Sequence, residues 1–185
     1  CEVGEQLNGD YQAELEHPLD GDERWTHLEE DNILRIPTPE GDDLFRIYRV
    51  AEGLGGVLRV TARHISYDLL TDLTVNNAPT NATAAGALQV ALQDTPFSGT
   101  SDVPGVDSVR WVRKNRLACI LGEEDNSIVS RWGGEARRHH RQFDLLARLG
   151  ADRGVSIRYR KNLTGLELVR DVTNVITRVL PTGLK

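Results

Sequence analysis

The chain has 185 residues, 39% of them apolar and 27% charged, which is enough to bury the core of one domain or two small ones and excludes a wholly disordered chain. A net charge of −6 and a pI near 5.4 argue against nucleic-acid binding through a whole-protein field, and no sequence-specific nucleic-acid partner is expected. No apolar run approaches the roughly 18–20 residues that span a bilayer, so no membrane partner is expected either.

From the start, Cys1-Glu2-Val3-Gly4-Glu5 is acidic and lacks an apolar signal core, and Met is absent throughout. The chain is therefore expected to be a trimmed piece of a longer protein. Tyr11, Ala13 and Leu15 then alternate with Gln12, Glu14 and Glu16, the period of a half-buried strand. His17-Pro18-Leu19-Asp20-Gly21 stops it, because Pro removes a ladder donor and Asp-Gly suits a tight turn. Further strands are predicted at Asn32–Pro37, Leu44–Val50 and Val57–Arg63, the last presenting Leu58, Val60 and Ala62 on one face. Gly53, Gly55 and Gly56 mark the hairpin between the last two. Residues 1–65 thus read as the first part of a small antiparallel barrel or sandwich.

The period changes after that. Ala84, Ala87, Leu88, Ala91 and Leu92 recur at helical spacing within Thr80–Gln93, with Thr80 or Thr83 as N-cap. Residues 97–108 read as loop. Two short helices are predicted at Asn115–Leu121, closed by Gly122, and at Ser127–Trp132, closed by Gly133-Gly134, with Asp125 as a cap for the second. Residues 66–135 form this helical insertion. Strand period returns over residues 136–185. Phe143 and Leu145 share a face, Val155, Ile157 and Tyr159 oppose Ser156, Arg158 and Arg160, and Leu166, Leu168, Val175, Thr177 and Val179 continue the pattern. The predicted class is α+β.

No cofactor and no catalytic residue is expected. His139-His140 is the most reactive-looking pair, but adjacent histidines on a strand point to opposite faces, so no metal site is predicted there. Cys119 lies among Leu117, Ala118, Ile120 and Leu121, whose burial raises a thiol pKa. With Cys1 the only other cysteine, a disulfide framework is not expected and folding in a reducing compartment is. The runs Glu29-Glu30-Asp31, Asp42-Asp43 and Glu123-Glu124-Asp125 sit beside turns or helix starts and lack the aromatic walls of a sugar cleft. Charge is unevenly spread. Residues 1–57 carry 15 acidic and four basic side chains, and residues 58–185 carry 13 acidic and 18 basic. That asymmetry fits ordinary solvated surface or head-to-tail contact between copies.

Candidate interface or structural residues are few. Trp132 beside Gly133 and Gly134 forms a corner that two glycines let pack closely, with Trp132 either core or interface. Arg158 and Arg160 share a strand face that either lines a channel or meets an acidic neighbour. Asn162 and Gly165 suit the hairpin turn that follows.

Five landmarks carry a family resemblance. They are Leu7–Tyr11 with Glu14–Asp20, Leu44–Val50, Ala62–Leu69, Leu117–Gly122 followed by Arg131–Glu135, and Arg158–Gly165 followed by Asp171–Gly183. Together they resemble the N-terminal hub region of the prophage tail endopeptidase family, also called tail-associated lysins or phage minor structural proteins. The resemblance implies an antiparallel, barrel-like, tail-tube-like hub domain with a small helix-containing insertion. It implies a homotrimer at the virion tail tip, made in the bacterial cytoplasm. Its partners would be the distal tail protein, the tape-measure protein and a tail fibre or receptor-binding protein, and its work tube closure and genome ejection. Any peptidase or lysin activity is expected outside these residues. The rivals are a tail-associated muralytic enzyme, a host-surface carbohydrate-binding module, and the same hub in a bacteriocin or gene-transfer particle.

Overall fold

Alternating side chains build five antiparallel strands in the first third of the protein: β1 (Glu2–Glu5), β2 (Tyr11–Pro18), β3 (Ile33–Thr38), β4 (Gly41–Gly53) and β5 (Val57–His64). Their order is β1-β2-β5-β4-β3, and the sheet curls into half a barrel. The computed structural model describes residues 1–150 apart from 22 and 123, together with 151, 154, 156, 158, 159, 161 and 165. Two units divide the chain, Cys1–Gly150 and Ala151–Lys185, and every element named here belongs to the first. The strands predicted from Val155, Ile157, Leu166, Leu168, Val175, Thr177 and Val179 lie outside the described residues.

One face of the sheet is apolar. Tyr11 and Ala13 of β2, Phe45 and Ile47 of β4, and Leu58, Val60 and Ala62 of β5 are buried together. Parity changes once, where the β4–β5 register slips between Ile47 and Arg49. One extra residue at Tyr48 is left exposed, and Val50 then pairs with Val60 and packs on the same core as Ile47. β1 was not predicted, since four residues with two glutamates carry no period-two signal. It pairs with β2 through Glu2–Glu14 to Glu5–Tyr11.

A second core begins where β5 ends. Ile65 and Leu69, on a 3-10 turn over Ile65–Leu70, are buried in it. Three short helices follow, each started by a side chain that accepts from an otherwise orphaned backbone N–H. Thr83 caps α1 (Ala84–Leu92), Asn115 caps α2 (Arg116–Leu121) and Ser127 caps α3 (Ile128–Trp132). Of the two threonines predicted to cap the first helix, Thr83 does so. Asp125 does not cap α3, because Ser127 and Ser130 form a reciprocal capping box and leave no donor for it. The predicted helical stripe is buried: Ala84, Ala87, Leu88, Ala91 and Leu92.

Two-residue ladders tie these helices down, β6 (Asn76–Asn77) on β9 (Trp111–Val112) and β7 (Ala82–Thr83) on β8 (Val106–Asp107). Ladders this short carry no sequence period. Trp111 is fully buried, and its indole N–H donates to the Asn126 carbonyl at 2.6 Å. The hairpin of β10 (Glu135–His139) and β11 (Gln142–Leu146) closes the unit. Phe143 and Leu145 share its inner face as predicted, and the stretch expected as loop bridges it in parallel at Ser98–Gln142 and Ser101–Leu145. Among the described residues, no helix is long and apolar enough to cross a membrane. The class is α+β with a mostly antiparallel sheet.

Candidate functional site

The two cores meet at a polar seam, where the hairpin docks on the sheet. It forms because the inward faces of β4 and β5 each end in a polar residue. Asp43 continues the row of Phe45 and Ile47, and His64 continues the row of Val60 and Ala62. Both are buried, at 1% and 0% exposure, and neither can face water. They face each other instead, with His64 Nε2 3.0 Å from Asp43 Oδ1. His64 Nδ1 accepts from the Ser66 backbone N–H, so the ring hydrogen sits on Nε2 and points at the carboxylate.

Asp43 draws in the hairpin as well. Its Oδ1 accepts from the backbone N–H of His140 at 2.7 Å and of Leu44 at 2.8 Å. Burial opposes the charge, but the donors His64, His140 N–H and Leu44 N–H outweigh it and hold the carboxyl at about 2. Tyr11 stacks on the His64 ring at 4.7 Å, and burial, with the Asp43 charge beside it, pushes its phenol up. Around this centre, Arg138 donates to the Gly9 carbonyl at 2.9 Å and lies 5.1 Å from the Tyr11 ring centroid. Asn8, in the left-handed region at φ 54°, bridges two backbones. It donates to the Gly134 carbonyl at 2.9 Å and accepts from the Ala136 N–H at 2.7 Å.

The seam's hydrogen bonds tie the hairpin to the sheet. Ser66, His64 and Asp43 do form a hydrogen-bonded series, with Ser66 Oγ 2.9 Å from His64 Nδ1. Ser66 is 1% exposed and two residues from its histidine, so no substrate carbonyl reaches its hydroxyl. A cavity of about 320 Å³ beside the seam gathers Glu5, Glu40, Asp43, Arg137 and Arg138. A general acid needs a carboxyl pKa pushed up, and Asp43 is pushed down. Asp144 is pushed down as well, its burial outweighed by hydrogen bonds from Arg137, Gln142 and Thr100. Burial pushes the Cys119 thiol up to about 11, which matches the expectation from its apolar neighbours and removes it as a nucleophile.

The predicted interface residues stand apart from this seam or only touch its rim. Trp132 is half-buried on the second core and donates its indole N–H to the Ala82 carbonyl at 3.0 Å. Gly133 and Gly134 take φ of 77° and 103°, and a Cβ on Gly134 would come within 2.9 Å of Leu145 Cγ. Only glycine fits that corner. Arg158 and Gly165 are exposed in the second unit, and Arg160 and Asn162 lie outside the described residues.

One expectation is overturned. His139 and His140 do not point to opposite faces, because only His139 is on the strand. His140 occupies the two-residue turn in the left-handed region, at φ 49°, and its ring stacks on that of His139 at 4.2 Å. Asp43, read in the sequence only as part of a carboxylate run beside a turn, and His64, not singled out there, had a readable signal. Each extends a period-two buried face by one step, where a charged or titratable residue must find a partner.

No family model matches the chain, and no curated protein matches it. Among solved structures, prophage tail protein gp18 of Listeria monocytogenes EGD-e superposes with a TM-score of 0.63 at 15% identity, over 88% of this chain and 49% of that one. The fold of this chain is similar to that of a prophage tail protein. At 15% identity the shared property is the fold. This chain spans about half the length of that neighbour.

Proposed function

We propose that this chain is the N-terminal part of a phage or prophage tail-tip hub protein, an assembly module with its work in docking. The observation that carries the reading is the likeness of fold to a prophage tail protein over 88% of the chain. The five landmarks of the tail endopeptidase family lead to the same class. In this reading three copies surround a central pore, dock on the distal tail protein and close the tail tube against the tape-measure protein. They then open for genome passage at the virion tail tip, where a tail fibre or receptor-binding protein attaches.

The surface supports contact between copies. The solvent face of the sheet forms a concavity of about 700 Å³ in which Glu2, Glu14 and Glu16 lie beside Arg49 and Arg59. In a ring of three, where contacts are head-to-tail, the acidic strip of one copy would meet the basic strip of the next. We assign the Trp132-Gly133-Gly134 corner to packing at or near such a contact. Arg158, Arg160, Asn162 and Gly165 are proposed contact or turn residues of the second unit.

Light scattering over a concentration series tests the reading, on the protein alone and mixed with the distal tail protein of the same particle. A particle of three 20.6 kDa chains in either condition is the expected result. A monomer in both overturns it. So does cell-wall clearing in a zymogram that is lost in Glu40→Gln, because that makes the cavity beside the seam an active site.

A further inference from the structure

The hub reading makes no use of the two stacked histidines at the hairpin tip. We propose that Asp43, His139 and His140 form a three-ligand site for a divalent transition-metal ion of the zinc class. One donor atom from each lies within 4.8 Å of the other two. Asp43 Oδ2 already stands 3.6 Å from His139 Nδ1. A tetrahedral ion bound at about 2.0–2.2 Å sets its donors about 3.4 Å apart, so that pair needs almost no movement. The remaining closure falls on the ring of His140.

Two observations beyond proximity point to a ligand. The first is the division of labour on Asp43. Oδ1 accepts from His64, His140 N–H and Leu44 N–H, whereas Oδ2 has only the Tyr11 hydroxyl at 3.4 Å and the His139 ring. Oδ2 is therefore the oxygen with a lone pair to give. The second is His140 Nε2, which is buried and has no hydrogen-bond partner. A buried ring nitrogen with nothing to bond is unfavourable, and a coordinated cation relieves it.

The surroundings suit a cation. The carboxylate ligand is oriented from behind by His64, itself held by Ser66, which is how outer-shell hydrogen bonds fix metal ligands. The two nearby guanidinium groups are occupied, Arg137 by Asp144 and Arg138 by the Gly9 carbonyl and Glu5. His139, with a side chain 40% exposed, gives access from solvent. Two imidazoles and one carboxylate favour zinc, cobalt or nickel over magnesium or calcium, which prefer all-oxygen sites. An ion here would cross-link β4 to the β10–β11 hairpin and staple the seam.

The test uses untagged, chelator-stripped full chain at about pH 7.5, where imidazoles are mostly neutral. Titration with Co²⁺ should give a visible d–d absorption band that saturates at one equivalent. Zn²⁺ at a hundredfold excess over its Kd should raise the melting temperature by about 5–10 °C, and Mg²⁺ should not. His139→Ala and His140→Ala should each abolish the band and the shift, as should His139→Gln, a milder change at an exposed side chain. His17→Ala, at the opposite end of β2 from Tyr11, should retain both. Wild type without band or shift overturns the proposal, and so does a band that persists in both the His139 and His140 variants. Loss of the hub reading would leave these outcomes unchanged, since they are read on the isolated chain.

Discussion

The sheet over Glu2–His64 and the helical region over Ile65–Leu146 solve the same problem by different means. The sheet buries its core through one repeated rule, the alternation of sides along long strands, and its ladders run up to eight pairs between β4 and β5. The helical region has helices of nine, six and five residues, too short to persist alone, and holds each with a capping side chain and the set with two two-residue ladders. Its apolar cluster is nonetheless the larger, anchored by Trp111, Phe143, Leu145 and Ile120, all fully buried. Short elements become stable when they share one core, and the cost is dependence on that core. The two regions then join through polar contacts, Asn8, Asp43 and Arg138, where geometry matters more than area.

Deleting a core ring in each region breaks the comparison most directly. Phe45→Ala in the sheet and Trp111→Ala in the helical region should each lose about 3–5 kcal/mol. Chemical denaturation followed by far-UV and fluorescence signals should show one coincident transition for both. Two separated transitions, each moved by its own variant, would mean that the seam does not couple the cores.

At the seam itself, Asp43→Ala leaves the His64, His140 and Leu44 donors unpaired, and a loss of about 2–4 kcal/mol is expected in the same assay. The wild-type carboxyl also sets an acid limit. Its folded pKa, about 2, lies below the ordinary 3.8, so its contribution is complete above about pH 4 and is lost as pH falls towards 2. Stability measured across that window should drop by about 2 kcal/mol more in wild type than in Asp43→Ala.

Backbone fit in the second region comes next. A Cβ on Gly99 would collide with the Phe143 carbonyl oxygen, so Gly99→Ala should cost about 1–3 kcal/mol by prising the Ser98 bridge from the hairpin. Removing the cap in Ser127→Ala should cost about 1 kcal/mol, read as a melting-temperature decrease of a few degrees. The smallest effect is expected on the exposed sheet face. Arg59 and Glu16 pair at 2.9 Å with both side chains mostly exposed, and Arg59→Ala should change monomer stability by no more than about 0.5 kcal/mol. If copies meet on that face, the same variant should weaken self-association seen by light scattering.

Much of this architecture was readable from residue order. Strands β2 to β5 follow from alternation and the turn residues between them, and the first helix from apolar spacing behind Thr80 or Thr83; the second and third are bounded by their closing glycines, and the cap expected at Asp125 is Ser127. β1 and the ladders at Asn76 and Ala82 were not readable, because two to four residues cannot carry a period. The seam was half-readable. Asp43 and His64 sit at inward positions that announce a buried polar pair, but nothing local says that they belong to each other. His140 departs from the strand rule because it lies one residue beyond the strand, in a turn.

What the sequence determined alone is therefore the set of buried faces and the place where strand gives way to helix, since these depend on the spacing of neighbours along one backbone. The pairing of Asp43 with His64, the stacking of His139 on His140 and the docking of the hairpin by Asn8 were decided only in three dimensions. Two of these join residues many positions apart, and the third joins neighbours at the entry to a turn, where the direction in which side chains are delivered depends on the core the turn closes against.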